Sequence, residues 1–320
     1  MSKKTKRWLI IATSLVLIGG IIFGGAMTVL KWDFSKLSTS KYKTNTYKIN
    51  NEFSSISIKA KTADIIFVVS DNKECKVVCY EEEKAKHSVA VQNGTLTINS
   101  VDDRKWYEYI GINIVTPKIT VYLPDSEYEK LNIKNSTGDI EIAKDFTFKN
   151  IDIEASTGDV KNYASAAELI KIKTNTGTIL LEDISAGALE LSVSTGKTTA
   201  KSVTCHGNIT TFVSTGDTHL ENITCNSLIS NGSTGDISLK KVIAEEKFTI
   251  ERSTGDVIFD NCDSAELFVK TDTGDVTGTL LSDKVFLVET DTGSIDVPKS
   301  INGGKCEIIT DTGDVKVSVK

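Results

Sequence analysis

The sequence predicts an all-β chain: a single β-solenoid (β-helix-like) of about ten 19–20-residue coils, preceded by an N-terminal β-rich cap and one transmembrane helix. Three observations predict it. The phrase Ser-Thr-Gly-Asp, first met at Ser136-Thr137-Gly138-Asp139, recurs with small changes as far as Asp311-Thr312-Gly313-Asp314. Its glycines fall at 138, 158, 177, 196, 216, 235, 255, 274, 293 and 313, a steady step of 19 or 20 residues that marks a structural repeat. Between the glycines, apolar residues alternate with a period of two, which is the period of a strand and not of a helix. Finally, Trp8 to Leu30 carry no charged side chain.

Composition narrows the function classes. Hydrophobic and charged fractions of 39% and 25% are those of a folded chain. The net charge is −6, and Lys3, Lys4, Lys6 and Arg7 contribute +4, so residues 8–320 carry −10. An acidic body argues against a nucleic-acid partner, because phosphate binding needs a basic footprint.

In chain order, residues 1–7 are a basic tail. Residues 8–30 would span roughly 34 Å as a helix, enough to cross a bilayer core of about 30 Å. The basic residues ahead of it place the N-terminus in the cytoplasm and the remainder outside, at a single-pass cell-membrane location. Trp8 and Trp32 stand near the two ends, where interfacial aromatics belong. A cleaved signal peptide ending at Gly24-Gly25-Ala26 is the competing reading. It fits less well, because the apolar run is long and no Ala-x-Ala closes it. Gly20 to Gly24 matches a helix-packing pattern, which glycine-rich spans often do. Residues 31–44 are a polar tether.

Residues 45–130 form the cap. The pairs Ile56 and Ile58, Ile65 and Phe67, Val89 and Val91, Leu96 and Ile98, Ile112 and Ile114, and Ile119 and Val121 predict half-buried strands. Asn93-Gly94 predicts a hairpin turn between two of them. A cap is needed because the end of a solenoid otherwise exposes its core and strand edges.

Residues 131–320 are the solenoid. Seven before each glycine stand Leu131, Ile151, Ile170, Leu189, Ile209, Leu228, Phe248, Leu267, Phe286 and Cys306. Five before, two after and four after it, further apolar columns recur, and a last one seven after holds Ile184, Val203, Ile223, Val242, Cys262 and Leu281. Stacked at about 4.8 Å, ten coils make a rod roughly 48 Å long. Thr211 and Ser230 interrupt the column five before the glycine. Apolar Phe212 and Ile229 sit one place away, which predicts a bulge or slipped strand there.

The repeated phrase has the chemistry of a turn. Its first residue (Ser136, Asn175, Asp272) has a side-chain oxygen able to close an ST- or Asx-turn, and its glycine supplies the positive φ of a type II turn. The fourth residue is Asp at 139, 159, 217, 236, 256, 275 and 314, interrupted by Thr178, Lys197 and Ser294. Carboxylates stacked ~4.8 Å apart repel by roughly 0.9 kcal/mol per pair in water before screening. Their retention points to a backbone hydrogen bond or a bound cation. A solvated turn residue is the expected role. Weak Ca²⁺ binding is the alternative, best placed at Asp272, Asp275, Asp291, Asp311 and Asp314, where two acidic columns meet. No other cofactor is expected.

No catalytic signature is present: there is no Gly-x-Ser-x-Gly, His-Glu-x-x-His or phosphate-cradling loop. His87, His206 and His219 are scattered and read as surface residues. Cys75 and Cys79 lie i, i+4 on one strand, about 13 Å apart and too far to bridge. Cys205 and Cys225 share a column in adjacent coils, as stacked buried thiols or as a disulfide. Without a Cys-x-x-Cys or a histidine cluster, zinc is not expected. Trp106-Tyr107-Glu108-Tyr109 reads as aromatics of the cap core, a sugar- or membrane-contacting patch being the other option.

The anchor, the cap ending in Val121-Tyr122-Leu123-Pro124, then Tyr128, Leu131, Ile133 and the Ser-Thr-Gly-Asp repeats together resemble the bacterial putative-adhesin family of β-strand-repeat proteins, LiaG-like members of Gram-positive envelope-stress operons included. The resemblance covers nearly everything after about residue 45 and brings no catalytic or ligand residues with it. The anchor, the ten uniform coils and the missing catalytic signature point to a non-enzymatic, membrane-anchored extracytoplasmic scaffold, adhesin-like or envelope-associated, that meets the membrane through residues 8–30 and an envelope glycan or protein through the solenoid. An accessory subunit of an envelope-stress signalling system and a polysaccharide-active β-helix enzyme are the other classes. No wall-sorting Leu-Pro-x-Thr-Gly occurs, so anchoring falls to the helix.

Overall fold

A computed structural model describes residues 2–33, 40–71, 73–106 and 115–320; the expected strand residues Ile112 and Ile114 and tether residues 34–39 lie outside them. Helix α1, Lys3–Val29, is long and apolar enough to cross a membrane, and its apolar side chains are largely exposed. Ser2 caps its start by accepting a hydrogen bond from the Thr5 amide. Lys31 and Trp32 end it in left-handed conformations (φ 55° and 59°), and the Trp32 amide reaches back to Met27.

The region ahead of the Thr-Gly-Asp period contains strands β1 (Tyr42–Ile49), β2 (Ser55–Thr62), β3 (Asp64–Val69), β4 (Cys75–Glu82), β5 (Ala85–Gln92), β6 (Thr95–Asp102) and β7 (Lys118–Leu123). Four of these belong to the solenoid ladder itself. β2 pairs in parallel with β8 (Glu127–Thr137), and β3 with β9 (Ile140–Ile142), so that Lys61-Thr62-Ala63-Asp64 lies beside Ser136-Thr137-Gly138-Asp139. β6 and β7 pair in parallel with β2 and β3 from the other side. The cap thus contributes two further coils, for a rod of about 58 Å. Only β1, β4 and β5 run antiparallel to their neighbours and close the N-terminal end. The Asn93-Gly94 turn joins β5 to β6 as expected, both residues having positive φ.

From β8 onward the coils stack in register through β10 (Thr147–Thr157), β11 (Val160–Asn162), β12 (Ser165–Cys205), β13 (Ile209–Thr215), β14 (Thr218–Thr234) and β15 (Ile237–Thr254). They continue through β16 (Val257–Cys262), β17 (Glu266–Thr273) and β18 (Val276–Leu280). The five coils of Gly177 to Gly255 have a second sharp corner six residues after the glycine, where Asp183, Ser202, Asn222, Lys241 and Asn261 hold φ between 52° and 57°.

At the C-terminal end, chain order and spatial order part company. β21 (Gly304–Thr312) lies between β17 and β19 (Lys284–Thr292), and β22 (Val315–Val319) lies between β18 and β20 (Ile295–Asp296). The last coil in sequence is therefore inserted, and the coil of Gly293 is the outermost. The N-terminal end does the same: the 55–69 coil sits inside the 95–123 coil.

The inward columns are buried as read, with most members fully inaccessible. One exception is Leu281, expected inward but 43% exposed, because a register shift in its strand pairs Leu280 with Cys262 and buries it instead; the others belong to one coil. Phe286, Val288 and Val297 are only half-buried and Ile295 is 49% exposed, because among the described residues nothing covers the Gly293 coil.

The expected bulge at Thr211 and Ser230 is absent. Both stay inward and fully buried, paired in straight register between Leu191 and Ile250, while Phe212 points outward. The reason is Arg252, a buried cation inside the core. Its guanidinium donates to Ser230 Oγ (3.1 Å) and Thr218 Oγ1 (3.2 Å), and Thr211 Oγ1 donates to Ser230 Oγ (2.7 Å). Gly232, one coil earlier, leaves the room it needs: a Cβ there would lie 2.6 Å from Arg252 Nη1. Two polar interruptions of a column are the lining of one buried polar pocket.

Candidate functional site

The turn edge is built by glycine and aspartate for different reasons. All ten period glycines have φ between 122° and 159°, well beyond the roughly 80° of the expected type II turn. The second constraint is stacking. A Cβ on Gly158, Gly177, Gly196 or Gly216 would meet the carbonyl oxygen of the preceding glycine at 2.2, 2.1, 2.0 or 1.8 Å. Glycine is required at each place by conformation and by the neighbouring coil together.

Aspartate ties the coils to one another. Asp139 Oδ1 accepts the Asp159 amide (2.9 Å), Asp159 accepts that of Thr178 (2.8 Å), and Asp217, Asp236 and Asp256 accept those of Asp236, Asp256 and Asp275. Asp64 in the cap starts this ladder by accepting the Asp139 amide, and it ends with Asp275 to Asp314 and Asp314 to Ser294. The hydrogen bond expected within a turn is in fact made between turns. A charge-assisted bond to an amide offsets the repulsion between stacked carboxylates.

The five Ca²⁺ candidates separate into two groups. Asp275 and Asp314 are ladder acceptors. Asp272, Asp311 and Asp291 stack as exposed neighbours in the outer column, following the order of the exchanged coils. Among the described residues these carboxylates do not gather three ligand atoms within coordinating reach. The two hydrogen bonds from Ser294 hold the Asp314 carboxyl below its ordinary value of 3.8. A depressed carboxyl stabilises the fold above its unfolded value, and that contribution is lost as pH falls through the folded one. The protection of the Ser294 amide against hydrogen exchange, relative to its intrinsic rate, should therefore fall when pH is lowered below about 3.8. Unchanged protection at pH 2 would show that this contact does not hold the outermost coil.

The three-ligand grouping found among the described residues lies in the cap: Cys79, Glu81 and His87, all buried. His87 is thus an interior residue and not the surface residue expected. Glu81 is fully buried and satisfied, accepting the His87 amide (2.6 Å), His87 Nδ1 (2.8 Å) and Asn45 Nδ2 (2.5 Å). This is a hydrogen-bonding hub linking β1, β4 and β5. Glu81→Ala should cost about 3 kcal/mol of stability in urea unfolding, because it strands two buried donors of His87 and the half-buried amide of Asn45. A loss within experimental error would contradict that role.

The remaining site residues are placed plainly. Trp106 is 78% exposed, which corrects the cap-core reading for that residue; Tyr107 and Tyr109 lie outside the described residues. His206 is exposed, and His219 is half-exposed near Asp217. All six cysteines are free thiols. Cys205 and Cys225 stack in adjacent coils in a column of small corner residues with Ala186 and Ala244. Burial pushes the Cys225 thiol up to about 12, with a smaller contribution from Cys205. Alkylation of the native protein at pH 8 should leave this pair unmodified, and rapid labelling would contradict their burial.

The outer faces carry cross-coil ion pairs, Lys134–Glu154, Lys149–Glu129, Lys171–Glu190 and Lys240–Glu221, at 2.6–2.8 Å. The open C-terminal end has a different surface. Leu287 is 51% and Ile301 90% exposed there, beside the exposed carboxylates of Asp283, Glu289, Asp291 and Asp296.

Comparison with known proteins places this geometry. A solved structure from Parabacteroides distasonis, described as a putative lipid-binding protein, aligns with a TM-score of 0.53 at 17% identity, covering 75% of this chain and 98% of its own. A putative adhesin from Bacteroides fragilis aligns at 0.41 and 16% identity over 88% of this chain and 97% of its own. Another from Parabacteroides distasonis aligns at 0.40 and 9% identity over 87% and 98%. At these identities the likeness is one of fold. No curated protein matches. The model of the Toastrack DUF4097 family matches residues 53–222 and 207–320, which begin with the first coil inside the cap, and the chain belongs to that family.

Proposed function

We propose that the chain is a non-enzymatic, membrane-anchored extracytoplasmic scaffold with an adhesin-like or envelope-associated role. The observation that carries this reading is the uniformity of the rod. The Asp–amide ladder recurs along the stack, interrupted between Thr178 and Asp217, and ion pairs of one kind join several coils, which favours a scaffold over a reaction centre in one coil. The basic residues ahead of α1 favour an N-terminus in the cytoplasm and a solenoid outside.

The test uses the full chain in lipid nanodiscs, incubated with cell-wall material, lipid vesicles and solubilised membrane proteins. Vesicles are included because one structural neighbour is described as lipid-binding. Capture of an envelope component without chemical change is the expected result. Depolymerisation of a glycan with no retained ligand would overturn the reading in favour of an enzyme. On intact cells, added protease should degrade the solenoid; full protection would reverse the orientation.

A further inference from the structure

The two ends of the rod are finished differently. At the N-terminal end, antiparallel β1, β4 and β5 close the ladder. At the other end, β19 pairs only with β21 and β20 only with β22, so among the described residues their outer edges have no partner. Four core columns stop there uncovered, at Phe286, Val288, Ile295 and Val297. An edge of this kind is a template for one more strand.

Charge says what kind of strand. In the inner coils four glutamates are answered by a lysine of a neighbouring coil, as Glu154 is by Lys134 and Glu221 by Lys240. In the outermost coil, Asp283, Glu289, Asp291 and Asp296 are exposed, with Lys299 the one exposed cation among residues 281–303. Among the described residues none of these four carboxylates is in an ion pair. A strand continuing the pattern would alternate apolar residues, covering Phe286 and Val288, with basic ones facing Glu289 and Asp296. A second copy of the chain would bring the same four carboxylates against themselves, which disfavours it.

We infer that the open C-terminal coil, at the end of the rod away from the anchor, is a strand-accepting site for an extended segment of a protein partner that alternates apolar with basic residues. This rests on the scaffold reading above and names the partner's chemistry.

The probe is a fluorescent nine-residue peptide alternating lysine and valine, titrated onto the full chain in phosphatidylcholine nanodiscs. Controls are the glutamate–valine counterpart and the lysine–valine peptide with a central proline. Saturable binding of one basic peptide per chain is expected, with hydrogen-exchange protection appearing at residues 284–296. The combined variant Glu289→Lys/Asp296→Lys should weaken binding at least tenfold, whereas Asp125→Lys/Glu127→Lys at the far end should not. Equal binding of acidic, basic and proline-broken peptides would overturn the inference. So would undiminished binding by the first variant, or sedimentation showing two chains joined through this end. Both variants are exposed substitutions, and an unchanged Tm confirms that they fold. Envelope capture in the same samples separates the two readings. If the tip variant captures as well as the wild type, the tip inference fails and the scaffold stands; if the peptide binds but nothing is captured, the scaffold reading fails.

Discussion

Gly216→Ala should lower the stability of the solenoid by about 3 kcal/mol or more, read as a loss of urea midpoint at unchanged slope. Two penalties add. At φ 126° an L-residue is strained, at a cost of order 1–3 kcal/mol. The new Cβ would also lie 1.8 Å from the Gly196 carbonyl oxygen, which belongs to the backbone of the next coil and cannot step aside. Gly94→Ala separates the two. Gly94 also has positive φ (72°) but meets nothing within 4 Å, so it should lose only about 1 kcal/mol. Equal losses at the two positions would mean that stacking adds nothing and that the period is a matter of turn conformation alone.

Arg252→Ala should be nearly as damaging, at about 3 kcal/mol, because it opens a cavity and leaves the hydroxyls of Ser230 and Thr218 without their donor. Restoring an apolar column tells a different story. Arg252→Met combined with Thr211→Val, Thr218→Val and Ser230→Ala should be neutral or up to about 4 kcal/mol more stable than the wild type, since burying a charge is costly. Burial pushes the Arg252 guanidinium down to about 10 from its ordinary 12.5. The unfolded chain then holds this proton longer than the folded one, so the wild type should gain stability relative to the apolar variant as pH rises from about 10 toward 12.5. A difference that does not change over that range would show that the buried guanidinium keeps its proton. If the apolar variant is the less stable at neutral pH, the polar pocket contributes to stability and the argument from desolvation fails.

The repeat and its core were legible because strand alternation and turn chemistry are local properties. Leu131, Ile151 and Ile170 announce their column without reference to anything distant. The exchange of coils at both ends was not legible. Every coil presents the same register to its neighbours, so the period permits any coil to stack on any other. The cap coils were hidden by Ala63, which stands where the later turns have glycine. The second corner left a faint signal in Asp183, Ser202, Asn222 and Asn261, residue types that favour turns. Arg252 had a signal too, since Gly232 precedes it by one coil in the same column. Glu81 and His87, six residues apart on neighbouring strands of a hairpin, looked like ordinary surface charges; only the antiparallel cap turns both inward. Of the candidate site, the Asp column was visible, but its partner was not, because an amide one coil away is a property of the stack.

The central claim is that Ser-Thr-Gly-Asp is a device for joining coils and that its aspartates serve amides. Asp236 and Asp256 test it, since Asn keeps the accepting oxygen without the charge and Ala removes it. Thermal unfolding should show Asp236→Asn/Asp256→Asn close to or above the wild type, the alanine pair clearly below it, and no shift of any Tm with millimolar Ca²⁺. A Ca²⁺-dependent rise in the wild-type Tm that disappears in the asparagine pair would contradict the claim and make the ladder a cation site.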